Sequence, residues 1–539
     1  MPLKDINIDR NYLKRQEEKM ASLAHAAERK AFEVAIRQAV KYIKKDGADK
    51  AEQIGKLIDL VRKLMGGTFT DAQYQAAKEF MTSPESKWTR YFEKGLEEID
   101  ENVLTVSLLN IAYEAFFRGT KDVRKSREEY DCNIPWLILM DPTSACNLRC
   151  TGCWAAEYGH KLNLTYDEID SIITQGKELG VHFYFYTGGE PLVRKKDILA
   201  IARKHHDCAF HIFTNGTLID EAFCEEVREL GNLSFALSVE GFEEVNDGRR
   251  GDGVFNKVMH AYDLMKQYGL IYGASICYTK PNIATITSDD FLSLLEEKGC
   301  RYAWYFHYMP VGNDADVNLL PTMEQREYMY HKVREIRHDR MLFTMDFQND
   351  GEFVGGCIAG GRNYCHINSN GDVEPCVFIH YSNANIREKS LIECLQQPLF
   401  QEYRNRQPFN KNLLRPCPML ENPQMLQEMV RRSGAHSTDL TSPETVAHQC
   451  EKCYQYARDW APRAERIWNE KPHPEKRYEN FKNWKPKTDP KDWYSNADSL
   501  SEEDKADDAE AAVLVEAWKA EHPAAPDNQI VSAVPIDQN

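Results

Sequence analysis

The strongest constraint on the fold of this chain is a succession of six short apolar runs, at 136–140, 183–186, 210–213, 234–239, 272–278 and 303–308, each closing in a polar or glycine-containing turn. Runs of that length between turn residues read as strands, and the stretch after each one carries helical periodicity. Separations of roughly 25–45 residues leave room for one crossover helix in each connection, so the pattern predicts repeated βα units and a parallel sheet. Six units predict an α/β fold with a partial (β/α)6 TIM-like barrel rather than a closed barrel of eight. In such folds the chemistry gathers at the carboxyl ends of the strands, so the residues just after each run are the first place to look for a site.

Around this core the sequence divides into four regions: a helical N-terminal domain over 1–130, the barrel over 131–345, a small cysteine-bearing domain over 346–465, and an acidic, partly disordered tail over 466–539. In the first region Ile54, Leu57, Ile58, Val61 and Leu64 recur at helical spacing. Its most apolar piece, 103–117, is too short and too interrupted to cross a bilayer and is expected to pack on the barrel. From 488 to 539 there are thirteen Asp and Glu against three Lys and Arg, which is −10 of the total −17, whereas the first 65 residues carry fifteen basic and ten acidic residues, or +5. One helix is expected in the tail, over 509–518. A strongly negative chain argues against a nucleic-acid partner. The charged opening and the lack of any run of eighteen uncharged apolar residues predict a soluble, intracellular, cytoplasmic protein.

In a reducing compartment the fifteen cysteines are unlikely disulfide partners and have to be core residues, metal ligands or reactive thiols. Spacing separates these. DPTSACNLRCTGCW, directly after the first run, places Cys146, Cys150 and Cys153 on one loop. Three thiolates close in sequence can hold an iron–sulfur cube and leave its fourth iron without a protein ligand. A structural zinc would need a fourth ligand, and no nearby His or Cys offers one. The second run ends in TGGEPL, where Gly188 and Gly189 allow a ligand close to the backbone and Glu190 offers an acceptor for an ammonium group.

With these motifs, TNGT at 214–217, and SVEG followed by NDGRRG at 238–251, residues 131–345 resemble the radical S-adenosylmethionine (SAM) enzymes. The resemblance implies that Cys146, Cys150 and Cys153 hold a [4Fe-4S] cluster whose open iron is chelated by SAM. It implies that Gly188, Gly189 and Glu190 bind the methionine amino group, and that TNGT contributes Asn215. Ser238 and Glu240 would then approach the ribose, and Arg250, in a segment opening at Asp247, would pair with the methionine carboxylate. The family usually has an aromatic residue before the third cysteine, packed near the adenine; here that position is Gly152, and Trp154 is expected to supply the surface. The implied chemistry is reductive cleavage of SAM to a 5′-deoxyadenosyl radical that takes hydrogen from an unactivated C–H bond. It requires an anaerobic setting and a flavodoxin- or ferredoxin-type electron donor.

Beyond the barrel, Cys357, Gly371 and Cys376 form a C-x13-G-x4-C pattern that resembles the first hairpin of SPASM domains, which carry auxiliary iron–sulfur clusters. SNGD is a hairpin turn by its own chemistry and would bring the flanking strands together. Cys417, Cys450 and Cys453 are then the expected remaining ligands of one auxiliary [4Fe-4S] cluster, with a zinc site from the same residues as the alternative. Cys365 and Cys394 are extra ligands or core; Cys132, Cys208, Cys224, Cys277 and Cys300 are read as core. Tyr278, His307 and Tyr308, at the ends of the fifth and sixth runs, are substrate-facing candidates, although aromatic residues there more often pack the barrel. The expected substrate is a peptide or protein side chain, as for most SPASM-bearing relatives. The alternative is a lipid acyl chain or other apolar small molecule, with the basic N-terminal helices making peripheral contact with a membrane surface. A non-catalytic electron carrier would leave the GGE and SVEG segments unexplained.

Overall fold

The computed structural model describes residues 10–44, 49–64, 70–312 and 315–471. The expected tail helix lies outside the described residues. All six predicted strands are present: β1 (Leu137–Met140), β2 (Phe183–Tyr186), β3 (Ala209–Thr214), β4 (Leu233–Ser238), β5 (Tyr272–Tyr278) and β6 (Tyr302–His307). They pair in parallel in chain order, with one crossover between each pair and its neighbour. The crossover helices start where the sequence says they should. Thr165 and Glu168 form a capping box for Tyr166–Glu178, and Asp220 caps Glu221–Leu230, which stops at Gly231 with φ +73°.

Three strands extend the sheet beyond the six. β7 (Phe343–Asp346) adds in parallel to β6, and β8 (Tyr364–Ile367), from the cysteine-bearing region, adds in parallel to the free edge of β1, with β9 (Val373–Glu374) antiparallel outside it. The SNGD turn forms between β8 and β9, with Gly371 at φ +88°. One sheet therefore runs from the barrel into the region after it. The last described helix, Val446–Glu470, runs through the expected boundary at 465, because Trp460, Ala464 and Ile467 bury against Tyr330, Leu413 and Leu414.

The two faces of the sheet bury different things. Ile138, Tyr184, Phe210, Ile212 and Leu237 face the crossover helices, and Leu139, Phe185, Phe213, Trp304 and Phe306 face the barrel interior. The apolar stretch 103–117 packs on the barrel as expected: Val103, Leu109 and Tyr113 share a core with Ile172, Val181 and Phe210. Most of that stretch belongs to a π-helix, Leu108–Gly119, a rare form that is frequent at functional sites. No helix among the described residues is long and apolar enough to cross a membrane.

Candidate active site

Cys146, Cys150 and Cys153 lie on the loop between β1 and the short helix Trp154–Tyr158, on the wall of one cavity of 1340 Å³. Backbone bonds strap the loop at both ends. Gly189 N donates to Thr143 O (3.0 Å) and Glu190 N to Ala145 O (2.8 Å); at the far end Thr151 N donates to Arg249 O (3.0 Å). This strap explains the glycines. A Cβ at Gly188, whose φ is +105°, would lie 2.6 Å from Thr143 O, and one at Gly189 would lie 2.3 Å from Ala145 O. The sequence assigns these glycines to a ligand; the structure shows that the cysteine loop itself requires them.

Glu190 lines the cavity and braces two strand ends, accepting from Leu192 N (2.9 Å), Thr214 Oγ1 (2.6 Å) and Asn215 N (2.7 Å). Burial raises its carboxyl. Asn215 reaches the cysteine loop through Asn147 (2.8 Å), and Ser238, in register with Ser275 on β5, faces the same cavity. Glu240 departs from the expectation. It does not line the cavity but is fully buried, accepting from Arg249 Nη1 (2.6 Å) and Arg250 Nη2 (2.5 Å). Two adjacent guanidinium groups in a sheltered site need a carboxylate beside them. Glu240 thereby aims Arg250, whose Nη1 is 3.9 Å from Cys150 Sγ. Asp247 shapes the turn that follows, accepting from Gly253 N (2.6 Å) and Phe255 N (2.7 Å).

The aromatic residue absent at Gly152 is replaced from another strand. A Cβ at Gly152 would meet Tyr308 Cε2 at 2.8 Å, so Tyr308 occupies the space beside the third cysteine. Trp154 also touches the cavity, but its ring packs among His366, Phe378 and His380 at 6.0–6.2 Å. His307 lines the cavity as a neutral imidazole: burial holds its pKa well below the usual range, Nδ1 donates to Tyr308 O (2.5 Å), and Nε2 accepts from Tyr456 OH (2.5 Å). Tyr278 lies behind the wall, its hydroxyl on Asp346 (3.3 Å). Cys277, read as core, lines the cavity beside Ser275. Strict alternation along β5 puts 275 and 277 on the inner face and could have found it.

Beneath Trp154 lies a buried charged chain. His366 Nε2 forms an ion pair with Asp141 (3.0 Å), its Nδ1 donates to Glu374 (2.6 Å), and Tyr158 OH donates to Glu374 (2.8 Å). Burial works against the charged imidazole, but the two carboxylates prevail and raise His366 to about 10. A raised histidine stabilises the fold fully below its unfolded value near 6.5, and that contribution fades as pH rises through 10. His366→Gln should therefore cost about 3–5 kcal/mol, since it leaves two carboxylates buried without their cation. Thermal unfolding scans should also show the variant losing the parent's decline in stability across the alkaline range.

A second cavity, of 510 Å³, is lined by Cys357, Cys376, Cys417 and Tyr403. Cys376 Sγ accepts from Tyr364 OH (2.6 Å), and Cys417 N donates to Glu421 Oε2 (2.7 Å). Tyr403 is buried and its hydroxyl has no hydrogen-bond partner; its pKa is raised by burial and then by Cys357, Cys376, Cys417 and Cys450, which surround it. Cys450 and Cys453 are buried on one face of Val446–Glu470. Cys365 and Cys394 sit instead in the core outside the barrel, with Cys208, Cys224 and Cys300; Cys132 belongs to that core and also touches the first cavity. Four sulfurs on a tetrahedral zinc, at Zn–S of about 2.3 Å, would lie about 3.8 Å apart. Among the described residues no three cysteine sulfurs come within 4.8 Å of one another. The triad lines the first cavity and Cys357, Cys376 and Cys417 the second, while Cys450 and Cys453 line neither; these all-thiol sets, with the orphaned hydroxyl of Tyr403 on the second wall, fit iron–sulfur cubes better than zinc. Phe347, Tyr364 and Phe378 line both cavities.

Comparison with known proteins agrees. Residues 140–297 match the model of the radical SAM superfamily and 357–419 that of SPASM, an iron–sulfur cluster-binding domain. An AdoMet-dependent heme synthase of Methanosarcina barkeri is 26% identical over 52% of this chain and 85% of its own length. The mycofactocin maturase MftC of Mycolicibacterium smegmatis is 28% identical over 46% of this chain and 66% of its own length. The PqqA peptide cyclase of Granulibacter bethesdensis is 27% identical, over 50% and 76%. The chain is a radical SAM enzyme. Within that class it is one that carries a SPASM domain, and its cofactors are SAM, a SAM-binding [4Fe-4S] cluster and auxiliary iron–sulfur.

Proposed function

We propose that this enzyme abstracts hydrogen from an unactivated C–H bond of a substrate lodged in the 1340 Å³ cavity. The observation that carries the reading is the convergence on that one cavity of the cysteine loop, its GGE strap and Arg250. Cys146, Cys150 and Cys153 would hold the cluster, which with SAM supplies the 5′-deoxyadenosyl radical. Glu190 fixes the strand ends, Asn215 and Ser238 line the cofactor surface, and Glu240 holds Arg250 toward the methionine carboxylate. Tyr308 takes the place of the absent aromatic residue at 152. Cys357, Cys376 and Cys417, with Cys450 or Cys453, would hold one auxiliary cluster. The proposed electron donor is of flavodoxin or ferredoxin type. Aromatic residues wall the cavity beside the cysteine loop and would shield a reactive intermediate there from water.

Arg250→Ala is expected to weaken SAM binding about ten- to a hundredfold, the loss of one charge-assisted hydrogen bond worth roughly 1.5–3 kcal/mol, with iron content unchanged. Equilibrium binding together with an iron assay checks both halves. For the substrate, the names of MftC and the PqqA cyclase support a peptide side chain. One observation favours an apolar small molecule: the barrel interior beyond the cofactor residues is walled by Phe185, Phe213, Trp304 and Phe306. Incubating reduced enzyme and SAM with deuterated peptides and deuterated lipids, and asking which passes deuterium into 5′-deoxyadenosine, separates the two. Transfer from neither set would overturn both readings.

A further inference from the structure

The cavity does not end with the residues that face the cofactor. On the β1–β2 side it continues down the barrel past Leu139, Leu137 and Trp136 and reaches Phe116, Arg124 and Arg127 of the N-terminal helices, with Arg404 from the C-terminal region on its wall as well. His211 and Tyr302, ring against ring at 5.9 Å, fill the interior beside this passage. Its volume exceeds the roughly 300–1,000 Å³ of ordinary small-molecule pockets, so a second ligand fits below the cofactor.

The far mouth has a different character from the passage. Arg124 is exposed, and Phe116 and Val354 rim the opening at 45% and 41% exposure. Arg127 donates to the carbonyl oxygens of Ile134 (2.6 Å) and Arg362 (2.5 Å), which fixes its guanidinium in the wall. Burial, then the neighbouring Arg124, pushes its pKa down to about 10. Arg404 is oriented by Asp131 (2.5 Å), and Glu128 is the carboxylate on the cavity wall here. Guanidinium groups present paired donors that match carboxylate and phosphate oxygens.

We propose that the cavity takes an anionic amphiphile, its apolar body along the aromatic passage and its carboxylate or phosphate head among Arg124, Arg127 and Arg404. This rests on the apolar-substrate reading above and deepens it. The head is fixed at the far mouth, so the reacting C–H bond lies well along the chain, where the passage meets the cysteine loop. The N-terminal helices then form one side of the entrance and need not act as a separate module.

The test uses the full, iron-loaded protein and a fluorescent polyene fatty acid, its methyl ester, and an alkyl phosphate of matched length that competes with it. The parent should bind the acid or the phosphate at least tenfold tighter than the ester, and which of the two prevails identifies the head group. Arg124→Glu should weaken the anionic probe at least tenfold and leave the ester unchanged; Leu137→Trp, which fills the passage, should weaken all probes. Equal binding of acid, phosphate and ester, or no binding of any, overturns the proposal. Binding is read without turnover, and formation of 5′-deoxyadenosine is measured separately, so failure of the radical chemistry would not be mistaken for failure of this site.

Discussion

Changing Cys146, Cys150 and Cys153 together to alanine should remove about four of roughly eight irons from the anaerobically reconstituted protein and abolish cleavage of SAM. The three thiols share one loop and one cavity, and Cys357, Cys376 and Cys417 line another, so the second group should keep its iron. The fold should also survive. None of the three side chains is fully buried, and the loop is held by backbone bonds from Gly189, Glu190 and Thr151 that alanine leaves intact. Iron analysis with chromatography of 5′-deoxyadenosine reads both outcomes. Cleavage that persists in the triple variant would remove the basis for assigning the site.

Glu421→Ala should have the opposite selectivity. Glu421 pairs with Arg326, and both side chains are fully buried; the guanidinium also stacks over Trp460 at 4.1 Å. The other carboxylate oxygen accepts from Cys417 N at 2.7 Å and so shapes the turn that presents that cysteine. Stranding a buried arginine costs about 3–5 kcal/mol, and the freed turn no longer aims Cys417 into the second cavity. The variant should unfold at a lower temperature and lose about four irons while the triad keeps its own. Glu421→Gln, which retains an acceptor for the amide, should lose less. A Glu421→Ala protein with parental iron content and melting temperature would show that the ion pair does not support the cysteine.

The parts of the fold that the sequence made legible are those with a strong local signal. Each of the six runs becomes a strand because apolar residues bounded by turns have few alternatives once both faces of a parallel sheet are buried, one under the crossover helices and the other in the barrel interior. β7 escaped because FTMD carries too little apolar pattern, and of β8, the strand leading into the SNGD turn, only the pairing with the edge of β1 escaped, because neighbours distant in sequence decide it. The cysteine loop was legible because ligands within eight residues share one turn of chain. Glu240 was misplaced because its partners come from the next helix, and a carboxylate between two arginines looks, in sequence, like one facing a ribose. Tyr308 could not be matched to Gly152 from sequence, since 156 residues separate two positions that meet only when β6 lies beside the cysteine loop. The basic mouth was invisible for the same reason, as Arg124 and Arg404 join only in three dimensions.

The central claim is that radical chemistry starts at the Cys146–Cys150–Cys153 loop. It is tested most directly by reducing the iron-loaded parent with dithionite in the presence of SAM and measuring 5′-deoxyadenosine and methionine together. The account predicts that both form, in equal amounts. Protein that holds iron at both cysteine groups and binds SAM, yet releases neither product, would contradict it.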